Sequence, residues 1–368
     1  MIPAKLQRLE EKLQTWRIEA VALNAGASLT YLTGLDFHLM ERPVVLLHRV
    51  GSTPLLILPE LEAAKLDHLD YPIDTCFYSD NPDQWPQVFK QAIASLHLLE
   101  TQIGIEPGQL RLLEYHLLRT VLSESAFTDG SGILAALRSI KDAEELALLE
   151  KAVAIAERAL QATLLQARVG ISEYEFASEL VMQLLRHGSE TNLPFTPIVA
   201  SGPNGATPHA RPGERRLTSG DLLVVDWGAR WHGYAADLTR TFGVGHVAQQ
   251  EQEIHAIVRQ ANRAGRTAGR PELTCAMIDE ATRSVIKEAG YGAHFTHRTG
   301  HGIGLECHES PYIHAGNQQL LQPGMTFTVE PGIYLHNQNG VRIEDDVVIT
   351  ESGCRSLSSF SRELIYIS

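Results

Sequence analysis

Cysteine is scarce in this chain: four residues, at 76, 275, 307 and 354, are scattered through 368 positions with no CxxC spacing. A cysteine zinc site therefore has no support, and a disulfide scaffold does not suit a chain of this size. Positive charge is also in deficit, with 31 Lys and Arg against 44 Asp and Glu, a formal charge of −13. Such a surface favours solubility and lacks the cationic excess that binds phosphate backbones, so nucleic acid is excluded as a partner. No apolar run approaches the roughly 18 residues of a membrane span. The opening MIPAKLQRLEEKLQTW carries mixed charge and no signal-type apolar core, which points to the cytoplasm. Residues 1–128 contain no GxGxxG or GxxxxGK stretch, so a nucleotide site has no support either.

What the chain does have is length enough for two domains. Leu6, Leu9, Leu13 and Trp16 recur at helical steps, predicting an amphipathic helix over 2–17. Strands are expected at 22–24, 43–50 and 54–58, the last two joined through Gly51, with covering helices at 85–99 and 107–122. This alternation predicts a small α/β domain over 1–130. The composition change at DGSGILAA, 129–136, is the expected junction, and 131–368 forms the second domain. There, one long helix is expected to end at Gly170, followed by 172–188 with a Ser172/Glu175 capping box, then helices at about 247–267 and 271–289. The strand-rich remainder predicts an α+β domain whose helices cover curved antiparallel sheets and whose uncovered face presents ligands.

Five side chains in this second domain stand out. Asp226 in LLVVDWGAR, Asp237 in YAADLTRTF, Glu330 in FTVEPGIY and Glu344 in VRIEDDVVIT are carboxylates set among apolar residues. An ionised side chain there is costly unless a cation or a hydrogen-bonding partner compensates it. With His301 of HRTGHGIGLECHE they make the donor inventory of a site for two divalent cations, which activate water for hydrolysis. A hairpin with Trp231 and His232 in its loop would place Asp226 directly opposite Asp237, with Cβ atoms about 5 Å apart. Pro331 restricts Glu330 to an extended backbone at a strand end. The two-residue strand period puts Arg342 on the face of Glu344, where it would orient that carboxylate, and turns Asp345 away. Asp345 and Asp346 are expected as a turn-like or solvated acidic pair. Gly300, Gly302 and Gly304 allow close backbone approach and unusual dihedrals around His301. Cys307 beside His308 suggests a Cys–His nucleophile, but neighbours on an extended chain point to opposite faces.

These five residues and their glycine- and proline-containing contexts resemble the pita-bread metallopeptidase family, which contains prolidase, aminopeptidase P and methionine aminopeptidase, together with metal-free creatinase. The resemblance covers most of 136–368, and 1–128 resembles the N-terminal domain of the proline-specific and creatinase branches. It implies a creatinase/aminopeptidase-type catalytic domain binding two divalent metal ions through Asp226, Asp237, His301, Glu330 and Glu344. Manganese is the family-based choice, with cobalt, zinc or iron as alternatives. His209 in SGPNGATPHA and His308 in HESP match catalytic positions that donate to the substrate carbonyl or oxyanion.

The implied activity is Xaa-Pro dipeptidase, with Glu330 moving the proton from nucleophile to leaving nitrogen. The substrate is a small peptide with proline after the scissile bond. Phe195, Tyr234 and Tyr334 are expected walls of the proline pocket. His297, Arg298 and Arg342 are the cations that could meet the proline carboxylate and so exclude longer peptides. Aminopeptidase P is the close alternative; another C–N hydrolase on the creatinase fold and a noncatalytic scaffold are the distant ones. The resemblance also implies a homodimer in which Asp36, in YLTGLDF, reaches the neighbouring subunit's site.

Overall fold

The computed structural model describes residues 3–368. The chain divides into two compact units, one ending at Arg138 and one spanning Ser139–Ser368. In the first, helix Ala4–Trp16 buries Leu6, Leu9 and Leu13 while Trp16 is exposed; residue 2 of the expected helix lies outside the described residues. A six-stranded mixed sheet runs in the order Asp74–Tyr78, Leu55–Pro59, Val45–Arg49, Ala20–Asn24, Ile103–Ile105, Phe127–Asp129. Helices Trp85–Ser95 and Leu112–Arg119 bury Phe89, Ile93, Leu117 and Leu118 against it. The segment read as a junction instead belongs to the first unit. It forms helix Ser131–Arg138, whose Ile133, Leu134 and Leu137 are buried at helical spacing, so the boundary falls after Arg138 rather than at 130/131.

The second unit is an α+β structure with two helix pairs and two principal sheets. Helix Ala143–Leu164 starts on a capping box of Asp142 and Glu145 and ends six residues before Gly170. Helix Glu173–Arg186 starts on the expected Ser172/Glu175 box. Both contribute to a core with the sheet Tyr366–Ile367, Leu238–Val244, Leu222–Trp227, Ile198–Ser201. Helices Gln249–Ala268 and Cys275–Glu288 help bury the other side of the unit. Its five-stranded sheet runs Glu309–Ile313, Gly300–Gly302, Thr326–Val329, Asp345–Thr350, Gly353–Ser356. A bridge between Thr239 and Glu344 links the two sheets, which is why residues a hundred positions apart meet there.

The hairpin carrying the two aspartates differs in register from expectation. Its loop is His232-Gly233, both at positive φ (47° and 81°), between the paired Trp231 and Tyr234. A two-residue loop of that conformation matches the twist of the flanking strands, and Gly233 adopts it without steric cost. Thr239, not Asp237, therefore lies opposite Asp226. Asp237 is the diagonal neighbour on the same face, still within reach of Asp226.

Candidate active site

Each of the five expected ligands comes from a different strand or strand end of the second unit. Ligand atoms of Asp226, Asp237 and Glu344 lie within 4.8 Å of one another, as do those of His301, Glu330 and Glu344, and those of Asp237, His301 and His308. Four of the five are buried and Glu330 nearly so. Glycines fix His301: a Cβ at Gly300 would sit 1.8 Å from the Thr328 carbonyl oxygen, and one at Gly302 would sit 2.1 Å from that of Ser310. Neither glycine, nor Gly304, has a positive φ, so close approach alone explains them.

Polar contacts aim the ligands. His301 Nδ1 lies 3.1 Å from the Gly302 carbonyl oxygen and donates to it, which leaves the Nε2 lone pair facing Asp237 Oδ2 at 3.6 Å and Glu330 Oε1 at 3.4 Å. A lone pair facing carboxylate oxygens is repulsive unless a cation lies between them. Glu344 Oε2 accepts from Thr239 Oγ1 at 2.6 Å. Asp226 Oδ2 accepts from Arg342 Nη2 at 2.6 Å, while its Oδ1 is buried with no hydrogen-bond partner among the described residues. Burial pushes the carboxyls of Asp237 and Glu344 well above their usual range and that of Glu330 up to about 8, with the neighbouring carboxylates adding to each. Burial holds His301 neutral. Clustered acids, an orphaned oxygen and an inward lone pair fit divalent cations. The geometry is also inconsistent with a thiolate nucleophile, because the Cys307 thiol donates to Asp237 Oδ2 at 3.1 Å and burial raises its pKa well above normal.

Several expected side chains have other partners. Arg342 orients Asp226 rather than Glu344; its remaining contacts are Thr239 Oγ1, the Pro208 carbonyl and the Tyr334 hydroxyl. The crossing of the two sheets brings it over the first aspartate. Tyr334 is buried and accepts from Arg342 Nη1 at 2.8 Å, and its own hydroxyl donates to His297 Nε2 at 2.9 Å. His297 Nδ1 in turn donates to the Arg298 carbonyl at 2.7 Å, and burial lowers the ring's pKa to about 4. That imidazole has no free nitrogen for substrate. Tyr234 does not line the site, since its hydroxyl donates to Glu145 Oε1 at 2.7 Å in the packing against helix Ala143–Leu164. Asp36 is an exposed residue of the first unit whose carbonyl accepts from Lys65.

Asp345 and Asp346 are the clearest departure, for both are fully buried in strand Asp345–Thr350. Asp345 accepts from Arg240, Arg362 and Ser358, and the arginines hold its carboxyl well below the usual range despite its burial. Asp346 Oδ2 accepts from the backbone N–H of Asp237 at 3.0 Å and so holds the segment that carries Asp237. An acidic doublet gave no sign of these distant partners.

A pocket of about 520 Å³ opens over the cluster, lined by all five expected ligands together with Phe195, Thr196, Ile198, Pro208, His209, His297, Arg298, His308 and Arg342. His308 packs edge-on against His301 with ring centroids 4.1 Å apart. Arg298 stacks on Tyr312 at 4.5 Å and has no carboxylate partner among the described residues. A second, larger cavity of about 790 Å³ shares Thr196, Ile198 and His209 with the first.

An acid cluster built to hold cations beneath an open pocket defines a metal-dependent hydrolase. The description Metallopeptidase family M24 matches residues 147–351, and Creatinase/Prolidase N-terminal domain matches 5–140. The chain belongs to metallopeptidase family M24 and has the α/β pita-bread fold. It is 31% identical to a Xaa-Pro dipeptidase of Lactobacillus helveticus, over 98% of each chain. Among solved structures it is similar to a dipeptidase of Pyrococcus horikoshii OT3 (TM-score 0.91, 34% identity, covering 99% of this chain and 100% of that one). It is also similar to an X-Pro aminopeptidase of Thermotoga maritima (TM-score 0.85, 30% identity, covering 98% and 99%). Among the described residues no helix is long and apolar enough to cross a membrane.

Proposed function

We propose that this chain is a Xaa-Pro dipeptidase, hydrolysing the bond before proline in a dipeptide. The observation that carries the reading is the meeting of Asp226, Asp237, His301, Glu330 and Glu344 under one pocket. The Xaa-Pro dipeptidase relative, similar over nearly its whole length, supports the substrate class. Bound by these five residues, a pair of divalent cations would supply Lewis acidity to the scissile carbonyl and to water. Manganese is the proposed pair, and the oxygen-rich set with one imidazole also suits cobalt, iron or zinc.

The chain's own groups do the rest. Glu330, at a strand end on the pocket wall, takes the proton from water at its carboxylate and passes it to the leaving proline nitrogen. His308 and His209, both on the pocket wall, donate to the oxygen of the carbonyl as it gains charge. Phe195, Ile198 and Pro208 offer the apolar surface for the proline ring. With Arg342 on Asp226 and His297 on Tyr334, Arg298 is the lining cation left for the proline carboxylate. We further propose a homodimer, to whose neighbouring site Asp36 contributes, and a cytoplasmic location, the latter consistent with four unpaired cysteines.

One observation favours an aminopeptidase acting on longer peptides: a second cavity shares Thr196, Ile198 and His209 with the first and offers room beside it. Hydrolysis of Ala-Pro and Ala-Pro-Ala by the manganese-loaded protein separates the two. A dipeptidase cleaves the first and spares the second. Cleavage of both at similar kcat/KM replaces the dipeptidase reading, and cleavage of neither removes proline specificity altogether.

A further inference from the structure

His209 reaches the pocket from segment 201–213, and nothing holds its ring directly. The side chain is exposed, and among the described residues the ring makes no hydrogen bond. Its place is set by the backbone that carries it. That backbone is short of internal bonds, the main ones running from Thr207 N to the Asn204 carbonyl and from Ala210 N to the Thr207 carbonyl.

One buried carboxylate closes the segment at both ends. Glu173, in the first turn of helix Glu173–Arg186, is 0% exposed. Its Oε1 accepts from Ser201 N and Ser201 Oγ, each at 2.7 Å, and from Asn204 Nδ2 at 3.2 Å. Its Oε2 accepts from Asn204 Nδ2 at 3.1 Å and from Gly213 N at 3.2 Å. The helix N-terminus favours negative charge at this position. The backbone reinforces the clamp, since Glu173 N donates to the Arg215 carbonyl and Tyr174 N to that of Gly213. Between the clamped ends, Arg342 Nη1 donates to the Pro208 carbonyl at 3.3 Å, tying the residue before His209 to the guanidinium that holds Asp226.

We propose that Glu173 is a positioning residue for His209, acting across its own helix turn to set the distance between that imidazole and the scissile carbonyl. The inference rests on the Xaa-Pro reading for its substrate. A change from Glu to Gln keeps one acceptor oxygen but turns a donor toward Gly213 N–H and Asn204, so the clamp opens at one end.

The test is a double-mutant cycle on Ala-Pro hydrolysis with manganese-loaded protein, pairing Glu173→Gln with His209→Ala. Glu173→Gln is expected to lower kcat by between about tenfold and a hundredfold, with KM and bound metal unchanged. In the His209→Ala background the same change is expected to cost no more than about twofold, because its effect passes through the missing ring. Asn204→Ala, at a half-buried and more tolerant position, repeats the cycle with a smaller loss should Glu173→Gln fail to fold. Equal losses in both backgrounds would overturn the proposal, as would unchanged kcat in folded Glu173→Gln. A His209→Ala protein with undiminished turnover would overturn it too, while leaving Xaa-Pro hydrolysis itself established by the same assay.

Discussion

Strand Asp345–Thr350 and the residue before it bring two kinds of buried carboxylate side by side. Asp345 is surrounded by the guanidinium groups of Arg240, Arg362 and Arg266, and its carboxyl is held far below the usual range. Glu344, one residue earlier, has a threonine hydroxyl as its hydrogen-bond partner and faces other acids, and its carboxyl is driven far above. Burial is alike for the two; compensation is opposite. An acid ringed by several arginines is fully compensated and supports the fold, whereas acids that repel one another, or that like Asp226 keep one buried oxygen without a partner, are poised to take a cation or a proton. The catalytic reading depends on that contrast, which can be broken from either side.

The largest effect is expected at the acids of the cluster beneath the pocket. Asp226→Asn or Glu344→Gln should deplete bound metal and bring Ala-Pro hydrolysis below detection in the folded protein, Asp226→Asn with some loss of stability because it leaves buried Arg342 without its carboxylate; normal metal content by elemental analysis would remove the assignment. Asp345→Asn should do the reverse, costing about 3–5 kcal/mol in urea unfolding because it strands buried arginines, yet leaving metal stoichiometry intact in the folded fraction. His308→Ala should keep its metal and lose about a hundredfold in kcat, as for removal of one oxyanion donor. The two kinds of acid also differ in the sign of their pH dependence. Glu330, Asp237 and Glu344 have raised pKa values in the fold, so the folded apoprotein binds more protons than the unfolded chain between about 4.5 and, for Glu330, about 8. Their contribution to stability is full at the acid end of that window and lost as pH rises through it. Thermal melts of chelated protein should therefore fall from pH 5 to pH 8, and metal should flatten the slope. Asp345 acts oppositely, contributing above its unfolded pKa and losing that contribution as pH falls through its lowered one, so Asp345→Asn should weaken the acid limb. The smallest change is expected at Asp346→Asn, which keeps an acceptor for the Asp237 N–H; turnover should stay within about threefold.

One side of this contrast, the clustered acids, was legible in the chain. Asp226, Asp237, Glu330 and Glu344 each sit in an apolar strand context, and glycines flank His301, so isolated local patterns pointed to residues that the fold does bring together. What local pattern could not carry was pairing across the fold. The turn at His232-Gly233, both at positive φ, set the hairpin register two residues away from the one expected, so that Thr239 pairs with Asp226. Arg342 reads by periodicity as a partner of Glu344, but the crossing sheets deliver it to Asp226. Asp345 and Asp346 look like a solvated doublet because their arginine and backbone partners lie up to about a hundred residues distant. Tyr234 is claimed by Glu145 of the helix packed against its strand, 89 residues away in sequence. Glu173 was visible only as part of a helix start, and its hold on Ser201, Asn204 and Gly213 is a purely tertiary fact.

If these mutually repelling acids are there to bind cations, activity must follow metal occupancy. The direct measurement is a titration of exhaustively chelated protein with manganese, following bound metal and Ala-Pro hydrolysis together. No turnover without metal, and recovery that saturates at two ions per chain, is the expected result. Full activity in the metal-free protein, or saturation with no metal retained by the second unit's acid cluster, would contradict it.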